Sequence, residues 1–264
     1  MILHCTDHGA GPPVLLLHGL YGTGQNLGMI ARGLADYRVI ALDLRNHGSS
    51  PHAPDMRYAS LAQDVIDTMD ALGLDEAMLV GHSMGGKTAM TVALSHGARV
   101  RALAVLDIAP IALDHIETSA AIIDALAGIR LTPDLTRQRA DADLAARIAD
   151  PVLRGFLLNN LRFSSGNAPY WRLDLAAIRA ALPDLTGWAD PPNAQPYSGP
   201  TLVVRGGESD YVPRAAQAEI MARFPRATLQ TIDHAGHWLH AEQPRAVNAA
   251  LRRLFALVPN RAGA

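Results

Sequence analysis

The sequence predicts an α/β fold in which a mostly parallel central sheet carries helices on both faces. Three observations lead there. Short, wholly apolar runs alternate with segments of helical period. The runs stop at glycine-rich or polar turns, as strands buried on both faces of a parallel sheet do. One of those turns is Gly81-His82-Ser83-Met84-Gly85, a Gly-x-Ser-x-Gly pattern that sets a serine on a sharp bend between strand and helix, with its hydroxyl clear of the backbone. A chain of 264 residues, 49% hydrophobic, is long enough to bury a substantial core as one large domain or two small ones.

Taken in order, residues 13–18 hold the apolar core Val14, Leu15, Leu16 and Leu17 of a first buried strand. The loop His18-Gly19-Leu20-Tyr21-Gly22 follows, and residues 26–34 return to helical spacing through Leu27, Ile30 and Leu34. In open α/β sheets, ligands bind beyond the C-terminal ends of strands. The backbone N–H of Leu20 is therefore a candidate donor to a reacting oxyanion, with the N–H of Met84, the residue after Ser83, as its partner. Residues 37–44 form the next strand and lead into a polar turn containing Asp43, Arg45 and His47. A structural ion pair between Asp43 and Arg45 is expected there, with His47 as a loop anchor. Ser60 and Gln63 fit a capping box, followed by a helix that Gly73 stops. The apolar run Ala77, Met78, Leu79, Val80 precedes the Ser83 turn, a helix-compatible segment follows over residues 87–96, and residues 102–106 make another strand ending at Asp107.

After Pro110 the character changes. Residues 111–196 show no convincing buried strand, but Ala- and Leu-rich helical stretches at 119–126, 142–148 and 175–182, punctuated by prolines as short helices packed over another surface would be. The expected organisation is a core domain of residues 1–110 and 197–264 with a helical cap, 111–196, inserted into it. Phe156, Phe163, Tyr170, Trp171 and Trp188 are expected to pack mostly between cap and sheet, with one or two lining a pocket. The sheet resumes at residues 201–205 and 227–232. A closing helix spans 244–257, and residues 260–264 are expected to fray.

A net charge of -2 offers no basic footprint for nucleic acid and no polybasic membrane patch. The single cysteine, Cys5, makes no internal disulfide, and no run approaches the length of a membrane span. Without a signal-peptide pattern at the N-terminus, the expected location is cytoplasmic, as a monomer or homodimer. The histidines lack paired zinc spacings, and there is no dinucleotide fingerprint or phosphate loop. No metal and no cofactor is implied.

His18, Ser83, Asp107, Asp210 and His237 all fall just beyond strand ends, and the chain order Ser, acid, His is that of a serine hydrolase on an α/β sheet. The stretches His18-Gly19-Leu20-Tyr21-Gly22, residues 45–51 (RNHGSSP), residues 81–87 (GHSMGGK), Asp107-Ile108-Ala109-Pro110 and Ala235-Gly236-His237-Trp238 together resemble the α/β-hydrolase superfamily. Within it, they are similar to the YbfF-type esterases and mammalian abhydrolase-domain proteins. The resemblance covers the sheet from end to end, whereas residues 111–196 match only in general character. It implies cleavage of carboxylic esters, and in some members acyl thioesters such as acyl-CoA, without a metal. Carried over residue by residue, it makes Ser83 the nucleophile and His237 the general base, with Ser209 joining the hydrogen-bond network. The YbfF-type pattern puts the acid at Asp107; the wider superfamily more often has it after the next strand, where this chain carries Asp210. Two ionised carboxylates on one imidazole are costly unless one is drawn to solvent or an arginine, so Asp107 is favoured and Asp210 retained as sharing or replacing the role. C–C bond hydrolases, lactonases and perhydrolases on the same triad, and a non-catalytic ligand-binding protein on this fold, remain open alternatives.

Overall fold

The computed structural model describes residues 1–164 and 167–258; the expected fraying of residues 260–264 lies outside them. Its first half alternates strand and helix: β1 (Cys5–His8), β2 (Pro13–Leu17), α1 (Gly28–Gly33), β3 (Arg38–Leu42), α2 (Tyr58–Ala71), β4 (Ala77–His82), α3 (Met84–Ser95) and β5 (Val100–Leu106). Five helices and a short hairpin come next: α4 (Ile116–Ala127), α5 (Arg137–Ala145), α6 (Pro151–Leu158), β6 (Leu161–Arg162), β7 (Tyr170–Trp171), α7 (Leu175–Ala180) and α8 (Leu182–Thr186). The chain then completes the sheet with β8 (Thr201–Gly206), α9 (Gln217–Arg223), β9 (Ala227–Ile232), α10 (Leu239–Glu242) and α11 (Pro244–Phe255).

The seven strands run in the order β1-β3-β2-β4-β5-β8-β9. All neighbours are parallel except β1, which pairs antiparallel with β3 at one edge. The apolar runs of the sequence are the inner strands. On β2, Val14, Leu15, Leu16 and Leu17 are all fully buried, Leu15 and Leu17 in the core under α2 and α3, Val14 and Leu16 in the core under α1 and α11. Each such side chain removed from water contributes roughly 1.5–3 kcal/mol. Strand β1, by contrast, reads Cys-Thr-Asp-His with its last two residues exposed; an edge strand with no apolar run gives no sequence signal, and none was expected there.

Other departures are local. Helix α2 starts at Tyr58 with Arg57 as its N-cap, not in a Ser60–Gln63 capping box: the Ser60 hydroxyl donates to Asp55 at 2.5 Å and the Gln63 amide to Asp67. Arg45 pairs not with Asp43 but with Asp64, through two hydrogen bonds of 2.5 and 2.7 Å. Asp43 instead accepts the N–H groups of Gly24 and Ser49 and so fixes two loops. The helix expected over 142–148 lies earlier, as α5 from Arg137 to Ala145, and a further helix, α6, starts where the Asp150 carboxylate accepts from Val152 N–H, with Pro151 in its first turn. Phe163 and Tyr170 are exposed on the hairpin rather than packed against the sheet.

The segment between β5 and β8 is tied by polar contacts to α2 and to the loops after β2 and β3. Tyr58 Oη donates to the Leu185 carbonyl at 2.7 Å, Asn160 Nδ2 to the Tyr21 carbonyl at 2.8 Å, and Arg172 to Ser49 Oγ at 2.8 Å. No helix among the described residues is long and apolar enough to cross a membrane.

Backbone packing is very tight at Gly85, where a Cβ would overlap the carbonyl oxygens of Leu17 and His18. Gly155, within α6, has open space instead. Gly85→Ala should therefore lower the unfolding free energy by about 1–3 kcal/mol or more, whereas Gly155→Ala should raise it by up to ~1 kcal/mol through helix propensity. Urea unfolding of the two variants beside the parent chain measures both.

Candidate active site

The site is built on the β4–α3 bend. Ser83 sits there with φ 53° and ψ -120°, a left-handed backbone that costs a non-glycine residue about 1–3 kcal/mol. Its surroundings hold it in place. The Ser83 N–H donates to the Leu106 carbonyl of β5 at 3.1 Å, and its carbonyl accepts the first turn of α3 from Lys87 N–H at 3.0 Å. A Cβ on Gly81 would overlap the Gly85 carbonyl, so glycine at this position lets strand and helix meet closely enough to make the bend.

His237 lies in the loop after β9 and faces this serine. Its Nε2 is 3.1 Å from Ser83 Oγ, and its Nδ1 is 2.9 Å from Asp107 Oδ2. Asp107 follows β5, again with a positive φ of 51°, and is fully buried. Both oxygens of its carboxylate are partnered: Oδ1 accepts Gly206 N–H at 2.8 Å, and Oδ2 accepts the Ser209 hydroxyl as well as the imidazole. An ionised carboxylate holds the proton on Nδ1, which leaves Nε2 as the acceptor for the Ser83 hydroxyl. Asp210 is exposed on the next turn, and none of the hydrogen bonds to His237 among the described residues involves it. Solvent accommodates this second carboxylate, as the cost of placing two on one imidazole requires.

Buried neutral histidines position the rest. His18 donates from Nδ1 to the Gly19 carbonyl at 2.7 Å and accepts Leu44 N–H on Nε2 at 2.9 Å. His47 donates to the Arg45 carbonyl at 2.8 Å and accepts Tyr21 N–H at 3.2 Å, the loop-anchoring role expected of it. Burial pushes His18 down to about 4 and His47 to about 3, so both stay neutral and each ring keeps one donor and one acceptor nitrogen. Together they clamp the loop after β2 to the loop after β3. That loop presses on the serine: a Cβ on Gly19 would lie 3.2 Å from Ser83 Cβ. The N–H groups of Leu20 and Met84 make no hydrogen bond among the described residues. His82, next to the serine, donates from Nε2 to the His237 carbonyl at 2.8 Å.

Four residues at the site went unassigned in the sequence. Tyr211 stacks on His237, centroids 3.6 Å apart and planes 17° from parallel, and His115 of the segment before α4 stacks on its other side at 4.6 Å. His240 packs on His82 at 4.3 Å. Lys87 is almost fully buried. Ring stacking leaves no periodicity in a sequence; for Lys87 the usable signal is a lysine inside an otherwise apolar helix. A cavity of about 440 Å³ opens over Ser83 and His237, with walls that include Tyr21, Leu113, Ile122, Leu153, Phe156 and Trp238. Among the described residues no group of three His, Cys, Asp or Glu side chains is arranged to hold a metal.

A hydroxyl, an imidazole and a carboxylate stand within hydrogen-bond reach of one another, beyond strand ends of a mostly parallel sheet, an arrangement with the geometry that serine hydrolases use. The family model for the alpha/beta hydrolase fold matches residues 12–244, and the chain belongs to that family. Esterase YbfF of Escherichia coli (strain K12) is 38% identical over 242 residues, covering 91% of this chain and 92% of its own. The sn-1-specific diacylglycerol lipase ABHD11 of Mus musculus is 38% identical over 252 residues, covering 93% of this chain and 81% of its own. The solved structure of a marine microorganism esterase, 36% identical, superposes with a TM-score of 0.92 and covers 96% of this chain and 99% of its own. The protein is an α/β-hydrolase of the YbfF and ABHD type, a carboxylesterase-type hydrolase.

The buried histidines have a consequence for stability. Their folded pKa values lie below the ordinary 6.5, so between pH 6.5 and about 4 the unfolded chain takes up protons that the folded chain refuses. Stability falls as pH drops through that window, by about 1.4 kcal/mol per pH unit for each such histidine, and these groups contribute no slope above it. Urea unfolding at pH 4.5, 5.5 and 6.5 should give a shallower acid slope for His47→Gln than for the parent chain.

Proposed function

We propose that the protein hydrolyses small-molecule carboxylic esters, and acyl thioesters by the same route, through an acyl-enzyme formed on Ser83. The observation that carries this reading is the hydrogen-bond chain from Ser83 Oγ through His237 to Asp107, opening on an apolar cavity. The relatives, named as an esterase and a diacylglycerol lipase, support ester chemistry.

In the proposed mechanism, His237 Nε2 takes the Ser83 proton as Oγ attacks the acyl carbon. Asp107 stabilises the imidazolium without taking its proton and keeps the ring in the productive tautomer. Negative charge develops on the substrate oxygen, and the N–H groups of Leu20 and Met84 stabilise it; one such donor contributes about 10²–10³ in rate. His237 returns the proton to the leaving alcohol or thiol. Water, activated by the same imidazole, then attacks the acyl-serine and releases the acid. Ser209 acts as a positioning residue on Asp107, and His18 on the Leu20 loop. Residues 111–196 serve as the cap whose inner surface bounds the acyl group, over a core of residues 1–110 and 197–264.

Ser83→Ala should reduce turnover of p-nitrophenyl butyrate by about 10⁴-fold or more, with an unchanged circular dichroism spectrum and thermal midpoint. Wild-type turnover by the folded variant would show that the nucleophile lies elsewhere.

A further inference from the structure

The cavity over Ser83 contains a cation that the proposed mechanism leaves unused. Among the described residues lining it, Lys87 is the only lysine or arginine. Its side chain is 1% exposed. Nζ donates to the carbonyls of Thr186 and Gly187, at 3.1 and 2.6 Å, and lies 5.8 Å from the centre of the Tyr58 ring. An ammonium carries three donors, so one N–H is left over. No acidic side chain among the described residues acts on it, and desolvation alone pushes it down to about 8. It therefore keeps its proton at neutral pH.

An ammonium held out of water with only two carbonyls and a ring face beside it is incompletely compensated, because a buried charge costs several kcal/mol unless it is paired. A carboxylate entering the cavity would take the third N–H and complete the charge balance. Lys87 is four residues beyond Ser83, about 6 Å along the helix axis, and the cavity that both line also has Leu185 and Ile108 in its walls. That geometry suits a molecule with a reacting carbonyl at one end, an apolar spacer, and an anion at the other.

We propose that Lys87 makes this cavity a subsite for esters and thioesters whose acyl half ends in a carboxylate, the ammonium pairing with that anion while Ser83 attacks the distal carbonyl. The proposal rests on the serine-hydrolase reading above. No atoms are exchanged at Lys87; the contact is an ion pair that orients the substrate, and its loss appears mainly in KM.

The test compares p-nitrophenyl half-esters of dicarboxylic acids, from succinate to suberate, with methyl-ended acyl esters of equal length. The wild-type chain should favour the carboxylate-ended member at one or more lengths, and Lys87→Met should reduce that ratio of kcat/KM tenfold or more. A ratio that survives in folded Lys87→Met overturns the proposal. If that variant does not fold, the wild-type chain decides: preference for the carboxylate-ended ester supports the subsite, and preference for the neutral ester at every length overturns it. Acetyl esters of ω-hydroxy acids carry the carboxylate on the alcohol half, and Lys87-dependent preference confined to them would overturn the acyl-side assignment. Turnover of the neutral esters is read separately, so its absence in the wild-type chain would count against the hydrolase reading itself.

Discussion

At Ser83 the backbone is forced into a left-handed conformation, φ 53°, and much of the molecule is arranged to keep it there. The bend exists because β4 and α3 meet almost without side chains between them, at Gly81 and Gly85, and because Gly85 itself lies against the Leu17 and His18 carbonyls at the end of β2. A hydrogen bond from the Ser83 N–H to β5 closes the third side. Strain of about 1–3 kcal/mol is sustained by a core on both faces of the sheet, in which the apolar centres of the inner strands are buried. The hydroxyl is thereby raised toward the cavity at a fixed point, and the partner groups are positioned relative to it rather than to one another.

Electrostatically, the site concentrates charge in one place. His18, His47, His82 and His240 are all held below the ordinary histidine value by burial. They serve as neutral hydrogen-bonding or packing parts and do not repel a developing imidazolium at His237 as cations would. Asp107, with Gly206, Ser209 and His237 all donating to it, is a buried anion with its acceptor sites satisfied, the condition under which burial of charge is tolerated. The proposed proton transfer from Ser83 to His237 then takes place on an imidazole held by a fixed carboxylate.

How much of this was legible in the sequence follows from the kind of interaction involved. Inner strands appear because burial on both faces demands continuous apolar residues, as on β2. The serine bend appears because close backbone approach demands glycine at set positions. Asp107 and His237 stand out because they follow apolar runs in a fixed chain order, and Asp107 was favoured over Asp210 by the family pattern and the cost of two carboxylates on one imidazole, although their distances to His237 are not encoded in any spacing. Strand β1 stayed hidden because an edge strand obeys no burial pattern, and α6 because its eight residues, begun by Asp150 and Pro151, are too few for a clear helical period. Tyr211 and Lys87 stayed hidden because stacking and the pairing of an ammonium with main-chain carbonyls across about a hundred residues depend wholly on tertiary structure.

The segment between β5 and β8 links these features to specificity. It supplies Leu113, Ile122, Leu153 and Phe156 to the cavity wall, and it is docked on the loops that surround Ser83 through Tyr58, Asn160 and Arg172. The central claim is that Ser83 alone among the serines is an activated nucleophile. Its most direct test is intact-protein mass spectrometry after brief exposure to a fluorophosphonate, with peptide mapping of the adduct. A single adduct on Ser83, absent when His237 is replaced by alanine, is the predicted result; no adduct on the folded protein, or one on another residue, would contradict the account.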